Sequence, residues 1–224
     1  MRSFVRSLFL YILILIIVSY VGAGKVTPTE ALSDSLAPAT AISSPSKNSI
    51  VSGNVSVQAV ANDNVDVAKL EIYADDSLLS TTNYATGSAS VSATYYWDTR
   101  TSVDGFHTLS SKAFDSAGNI GTSSTEAMTV DNTPPQVVLT NPQTGSTVRR
   151  NSSISITANA SDSSGIFSIA FLIDNQMVKT CYQTLSCQTT WLAFPRGVHT
   201  IGAIAVDRSP GANKSSTIST LTVK

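Results

Sequence analysis

The amino-acid sequence predicts an all-β protein, two tandem antiparallel β-sandwiches behind an N-terminal hydrophobic helix. Three observations lead there. Short runs alternate apolar and polar residues between clusters of Gly, Asn, Asp and Ser. The pattern recurs after about ninety residues. After residue 30, no segment keeps a helical apolar period for three turns. Period-two alternation puts one face of a strand on a core and the other in water, and many short strands with turn signals between them make a sandwich.

The N-terminus is a different kind of segment. MRSFVR carries two arginines, LFLYILILIIVSYV (8–21) is apolar apart from Ser19 and two tyrosines, and VGAG places Val21 and Ala23 at the −3 and −1 positions of a cleavage site. This is the order of a secretory signal. The apolar run of 14 residues is short for a spanning helix, which needs roughly 17–25 residues. Residues 1–23 are therefore read as a signal peptide or, if uncleaved, a signal anchor. Either leaves the rest outside the cell, secreted or held at the surface. Residues 24–37, rich in Ser, Thr, Ala and Pro, read as a flexible linker.

The two modules are expected at 38–131 and 132–224. Asp63 matches Asp162 at an offset of 99, Trp97 matches Trp191 at 94, and His107 and Asp115 match His199 and Asp207 at 92. The falling offset shortens the loops of the second copy. Within the first, Val55, Val57 and Ala59 alternate with Ser56 and Gln58, and Leu70 and Ile72 with Lys69, Glu71 and Tyr73. In the second, Ile154 and Ile156 alternate with Ser153 and Ser155, and Ile201, Ala203 and Ala205 share a face. VDNTPPQVV (130–138) joins the copies, and its two prolines predict a short, stiff joint.

Both copies resemble the bacterial immunoglobulin-like domain found in tandem in secreted and surface proteins of prokaryotes. The resemblance rests on SGNVSVQAVANDNVDVAKLEIYADDSLL, YYWDT, DGFHTLSSKAFDSAGNIGTSS and TVDNTPP in the first. In the second it rests on ITANASDSSGIFSIAFLIDNQMV, TTW, RGVHTIGAIAVDRSPGAN and LTV. It implies Ig-like β-sandwiches in an extracellular setting and no catalytic residues. The chain departs from the family at Asp66, where Gly is frequent. Leu192 follows Trp191 where Asp98 follows Trp97, and an inserted SPG (209–211) lengthens the last turn of the second module.

Composition excludes some partners. The net charge is −1 and only 13% of residues are charged, with no basic stripe, so nucleic acid is not expected. A membrane is met only through an uncleaved N-terminus. Cys181 and Cys187, six residues apart in an exported chain, are expected to form a disulfide that closes a hairpin loop, with two free thiols as the alternative.

No cofactor is expected. Calcium is the one candidate, at Asp63 and Asp115, whose strand ends meet at one pole in this fold class. The competing reading of FHTLSSKAFDSAGN (106–119) and VHTIGAIAVDRSPGAN (198–213) is a turn built twice. In that reading Asp bonds its own backbone and Gly118 supplies a positive φ. No GxSxG elbow accompanies His107 or His199, so neither is read as catalytic. Trp97 and Trp191 are read as core anchors, with an exposed sugar platform as the alternative. Tyr95 and Tyr96 are the candidate surface contact, since one ring of an adjacent pair on a strand must face outward. The expected function is an exported, non-catalytic module protein for cell-surface binding or adhesion, with a cell-surface protein or polysaccharide as partner. The alternatives are a structural spacer or stalk, or an accessory to a separately encoded secreted enzyme.

Overall fold

The computed structural model describes residues 34–224. The expected N-terminal hydrophobic helix and most of the linker lie outside the described residues. Among those described there is no α-helix, only strands and one 3-10 turn at Thr99–Thr101. No helix among them is long and apolar enough to cross a membrane.

From Ser35 onward the chain forms seventeen strands around two cores. The first module uses β1 (Ala39–Ser44), β2 (Ile50–Val51), β3 (Asn54–Asn62), β4 (Lys69–Ala74), β5 (Ser77–Asn83), β6 (Ser90–Asp98), β7 (Gly105–Phe114), β8 (Ile120–Thr122) and β9 (Glu126–Val130). One sheet runs β1-β3-β6. The other runs β2-β9-β7-β4-β5, with β8 paired to β7. The second module uses β10 (Gln136–Asn141), β11 (Ser146–Val148), β12 (Ser153–Ser161), β13 (Ile166–Ile173), β14 (Gln176–Tyr182), β15 (Ser186–Leu192), β16 (Gly197–Asp207) and β17 (Lys214–Val223). Its sheets run β10-β12-β15 and β11-β17-β16-β13-β14. The copies share one wiring. The first strand pairs antiparallel in the small sheet, and the next crosses over to run parallel to the last strand of the module.

The alternation read in the sequence is the alternation of burial. Val57, Ala59 and Ala61 of β3 face Leu70, Ile72 and Ala74 of β4, Leu109 and Ala113 of β7, and Met128 and Val130 of β9. In the second core Ile156 and Ala158 meet Ile169, Phe171, Ile201, Ala203 and Leu221. Gly121 is fixed by a close approach, since a Cβ there would stand 1.6 Å from the Pro38 carbonyl oxygen.

Cys181 on β14 and Cys187 on β15 form a disulfide. It joins the edge strands of the two sheets of the second module. Closing so short a loop removes little denatured-state entropy. Reduction should lower the stability of this module by about 2 kcal/mol, read as a shifted urea midpoint with and without a thiol reductant.

A candidate cation site at the junction of two modules

Two local constructions recur in both modules: a histidine clasp and an aspartate turn. In the clasp, the β4–β5 hairpin turns through Asp75 (φ 46°) and Asp76 (φ 63°), and the β13–β14 hairpin through Asp174 (φ 47°) and Asn175 (φ 66°). A two-residue hairpin whose twist matches its strands needs positive φ at both positions, which Asp and Asn tolerate. The neighbouring strand then grips the turn. His107 Nδ1 lies 2.5 Å from Asp75 Oδ2 and its Nε2 lies 2.7 Å from the Val103 carbonyl. Thr108 donates to Asp75 Oδ1 from its amide at 2.9 Å. His199 repeats this at 2.6 Å to Asp174 Oδ2 and 2.9 Å to the Pro195 carbonyl, with the Thr200 amide on Asp174 Oδ1 at 2.9 Å. Each ring meets the module's tryptophan edge-on, with centroids 5.7 Å apart for Trp97–His107 and 5.0 Å for Trp191–His199.

Both nitrogens of each imidazole face acceptors, an arrangement that favours the cation, in which both donate. For His107, burial works against the charge. The Val103 carbonyl and Asp75 overcome it and raise the pKa. For His199, the hydrogen bond to Asp174 is the largest influence and also raises it, against burial. With both ring nitrogens engaged by the fold, the repeated His-Thr acts as a structural fastening.

The aspartate turns differ between the modules. In the first, Asn119 uses both oxygens of Asp115: its amide donates to Oδ1 at 2.8 Å and its Nδ2 to Oδ2 at 2.6 Å. Burial opposes the charge, but these donors hold the Asp115 carboxyl below the usual range. Asp66 braces the same turn, accepting from the Ser116 hydroxyl at 2.7 Å and amide at 3.2 Å and from the Gly87 amide at 3.2 Å. That gives a reason for Asp where Gly is frequent.

In the second module the inserted residues rewire the turn. Ser209 donates to Asp207 Oδ1 from its amide at 3.0 Å and its hydroxyl at 2.7 Å. Asn213 no longer touches Asp207 through its side chain. Its Nδ2 reaches the Ser209 hydroxyl at 3.1 Å and the Asp131 carbonyl at 3.2 Å. Asp207 Oδ2 is left buried without a hydrogen-bond partner, and so is Asp131 Oδ2.

Asp131 begins the joint. Its amide bonds the Val51 carbonyl of the first module at 3.0 Å, and its carbonyl accepts from Asn213 of the second. Asn132 follows as a hub on the first module. It accepts from the Gly53 amide at 2.9 Å and Thr99 Oγ1 at 3.1 Å, and its own amide donates to Asp104 at 2.9 Å. The Ser215 hydroxyl donates to the Pro135 carbonyl, and Gly211 abuts Ser52, where a Cβ would stand 2.6 Å from the hydroxyl oxygen. The SPG insertion is therefore part of the joint.

Asp131, Asp162 and Asp207 each bring a carboxylate oxygen within 4.8 Å of the other two. Asp162 Oδ1 is occupied by the Ser164 amide and hydroxyl, each at 2.8 Å. A groove lined by Thr133, Pro134, Gln136, Ser161 and Ser163 opens beside Asp162. Burial raises the Asp131 carboxyl, Ser164 partly offsets that, and the charges of Asp162 and Asp207 raise it further.

With the fold and this junction in view, the family described as bacterial Ig domain matches residues 38–110 and 135–203, more than half of the chain. The chain belongs to the bacterial Ig domain family. The fibronectin(III)-like modules of Clostridium thermocellum CbhA are 26% identical over 83% of this chain and 94% of theirs, with a TM-score of 0.47. A bacterial ice-binding adhesin, in a structure concerned with host cell surface retention, is 14% identical over 85% of this chain and 66% of that one, with a TM-score of 0.46. Latent PorU from Porphyromonas gingivalis is 15% identical over 88% of this chain and 21% of that one, at a TM-score of 0.37. No curated protein matches the chain.

In these Ig modules the residues singled out from sequence fall as follows. Trp97 is 4% exposed within the first core, whereas Trp191 is half-buried and packs against the second from its rim. Tyr95 pairs with Val57 and leans on the core. Tyr96 pairs with Ser56 on the opposite face and is 68% exposed. Asp63 and Asp115 do meet, with oxygens within 4.8 Å of each other. Asp63 Oδ2 accepts from the Val65 and Asp66 amides at 2.9 and 3.2 Å. Sequence reasoning missed Asp131. The available signal was its place in VDNTPP, five residues ahead of β10, between two repeat aspartates that had already been aligned.

Proposed function

We propose that this is an exported, non-catalytic pair of Ig modules that binds at a cell surface through exposed apolar side chains set beside the histidine clasps. The carrying observation is a repeated one. Phe106 and Val198 hold the same position one residue before the clasp histidine, and they are 89% and 70% exposed. Val103 and Phe194 are exposed on the loops whose carbonyl groups or neighbours engage the same rings. Water-exposed aromatic and aliphatic side chains on a backbone fixed by ion pairs cost little entropy to order on binding, which suits a contact surface. Tyr96, outward on the edge strand β6, adds a third element. Membership of the bacterial Ig domain family and the signal-like N-terminus support export, and a cell-surface protein or polysaccharide is the partner class.

The test is binding of the labelled chain to whole cells and to arrayed polysaccharides. Phe106→Ser, Val198→Ser and Tyr96→Ser should each leave the melting temperature nearly unchanged, since exposed substitutions cost within about 0.5 kcal/mol. Combined, they should weaken binding at least tenfold. Undiminished binding by the triple variant would overturn this surface. Complete absence of binding by the native chain would favour the spacer reading, which the hydrogen bond from Asn213 to the Asp131 carbonyl at the joint supports.

A further inference from the structure

We propose that Asp131, Asp162 and Asp207 hold a calcium ion that fastens the joint between the modules onto the pole of the second. The inference is independent of what the surface binds.

Three observations carry it. First, Asp131 and Asp207 are 2% and 1% exposed, yet Oδ2 of each makes no hydrogen bond. A buried carboxylate oxygen without a donor is costly, and two beside a third carboxylate are costlier still. Second, no Lys, Arg or His among the described residues forms an ion pair with any of the three. A cation from outside the chain would supply the compensating charge. Third, one oxygen from each carboxylate lies within 4.8 Å of the others. Ligands on opposite sides of a calcium ion, with bonds of about 2.3–2.6 Å, stand roughly 4.6–5.2 Å apart, so one ion reaches all three. The all-oxygen, all-anionic set suits a hard cation and not zinc or copper.

The first module has an equivalent acidic group, Asp34, Asp63 and Asp115, in which Asp63 Oδ1 is also buried without a hydrogen-bond partner, and it differs at the turn. There Asn119 saturates Asp115, and the turn is closed by its own donors. In the second, Asn213 donates instead to the Asp131 carbonyl, and Asp207 Oδ2 is buried without a hydrogen-bond partner. The insertion also packs Gly211 against Ser52. One local change thus both meets the first module and leaves a buried carboxylate oxygen without a donor.

The experiment is calorimetric titration of the chelator-treated protein with calcium chloride, alongside thermal unfolding in calcium and in chelator. Native protein should bind, and at a hundredfold excess over Kd the affected transition should rise by on the order of 10 °C. Asp131→Asn and Asp207→Asn are isosteric and should each weaken binding at least tenfold. In chelator, Asp131→Asn should melt no lower than the native chain, because it removes one of three crowded charges. In calcium it should melt lower. This crossing is what a merely structural aspartate would not produce. Native affinity retained by both variants, equal destabilisation of Asp131→Asn in calcium and in chelator, absence of any binding, or equal affinity for magnesium would each overturn the proposal.

Discussion

Phe171→Ala should destabilise the second module by about 3–5 kcal/mol while leaving the core of the first intact. Phe171 is fully buried on β13 and sits among Ile156, Ile169, Ile201 and Leu221. Truncating a buried phenylalanine loses the transfer free energy of the ring and leaves a cavity that a close-packed sandwich does not fill. The two cores share no residue, so the loss is local. Contacts between the modules are the hydrogen bond from Asn213 to the Asp131 carbonyl and the abutment of Gly211 on Ser52. They couple the modules only modestly. Scanning calorimetry should therefore show one transition shifted down strongly and the other by far less. Leu70→Ala, fully buried in the first core, should produce the mirror image. Equal shifts of both transitions from either substitution would mean the modules unfold as one cooperative body.

The sheets and cores were legible because burial in a sandwich has period two, and that period is written directly in Val57-Ala59-Ala61 or Ile201-Ala203-Ala205. The repeat was legible for the same reason: each copy must fill the same layers. Alternation required one ring of Tyr95 and Tyr96 to face outward, and the structure makes it Tyr96, with Tyr95 on the core side. Trp191 was less legible, because its repeat partner is enclosed and it is not. What alternation cannot carry is the wiring of turns. Asp115 and Asp207 align in sequence, yet one has both oxygens satisfied by Asn119 and the other has an oxygen left over. The difference comes from two extra residues between Asp207 and Asn213, which redirect one amide side chain to Ser209 and the Asp131 carbonyl. Asp131 was hidden in a segment read for its prolines. Its significance depends on two chain-distant aspartates arriving at the same place, which is a tertiary fact.

The histidine clasps make stability depend on pH, and the sign follows from the partners. His107 and His199 have raised pKa values in the folded state. Their contribution is fully present below the ordinary histidine value of about 6.5 and is lost as pH rises through the higher folded value. Asp75 and Asp174 are lowered: burial opposes their charge, and the amide and imidazole donors outweigh it. Their contribution is present above about 3.9 and is lost as pH falls through the folded value. The clasps are therefore strongest between about pH 4 and 6.5 and weaken into the alkaline range. Asp75 and Asp174 are about half exposed, so solvent screens each pair, and about 1 kcal/mol per clasp is the expected loss between pH 6 and 9. Asp174→Asn keeps a residue that tolerates the positive φ of the turn and removes the charge. It should cost about 1 kcal/mol at pH 6 and little at pH 9, flattening the profile of urea midpoint against pH. His199→Ala goes further, because it strips the donor from the Pro195 carbonyl and the ring from the edge of Trp191. It should cost about 2–3 kcal/mol at pH 6, where a charged donor is lost from a buried site. Asp174→Asn retaining the full native pH dependence would show that the second clasp is not its source, leaving the Asp75–His107 pair to carry it.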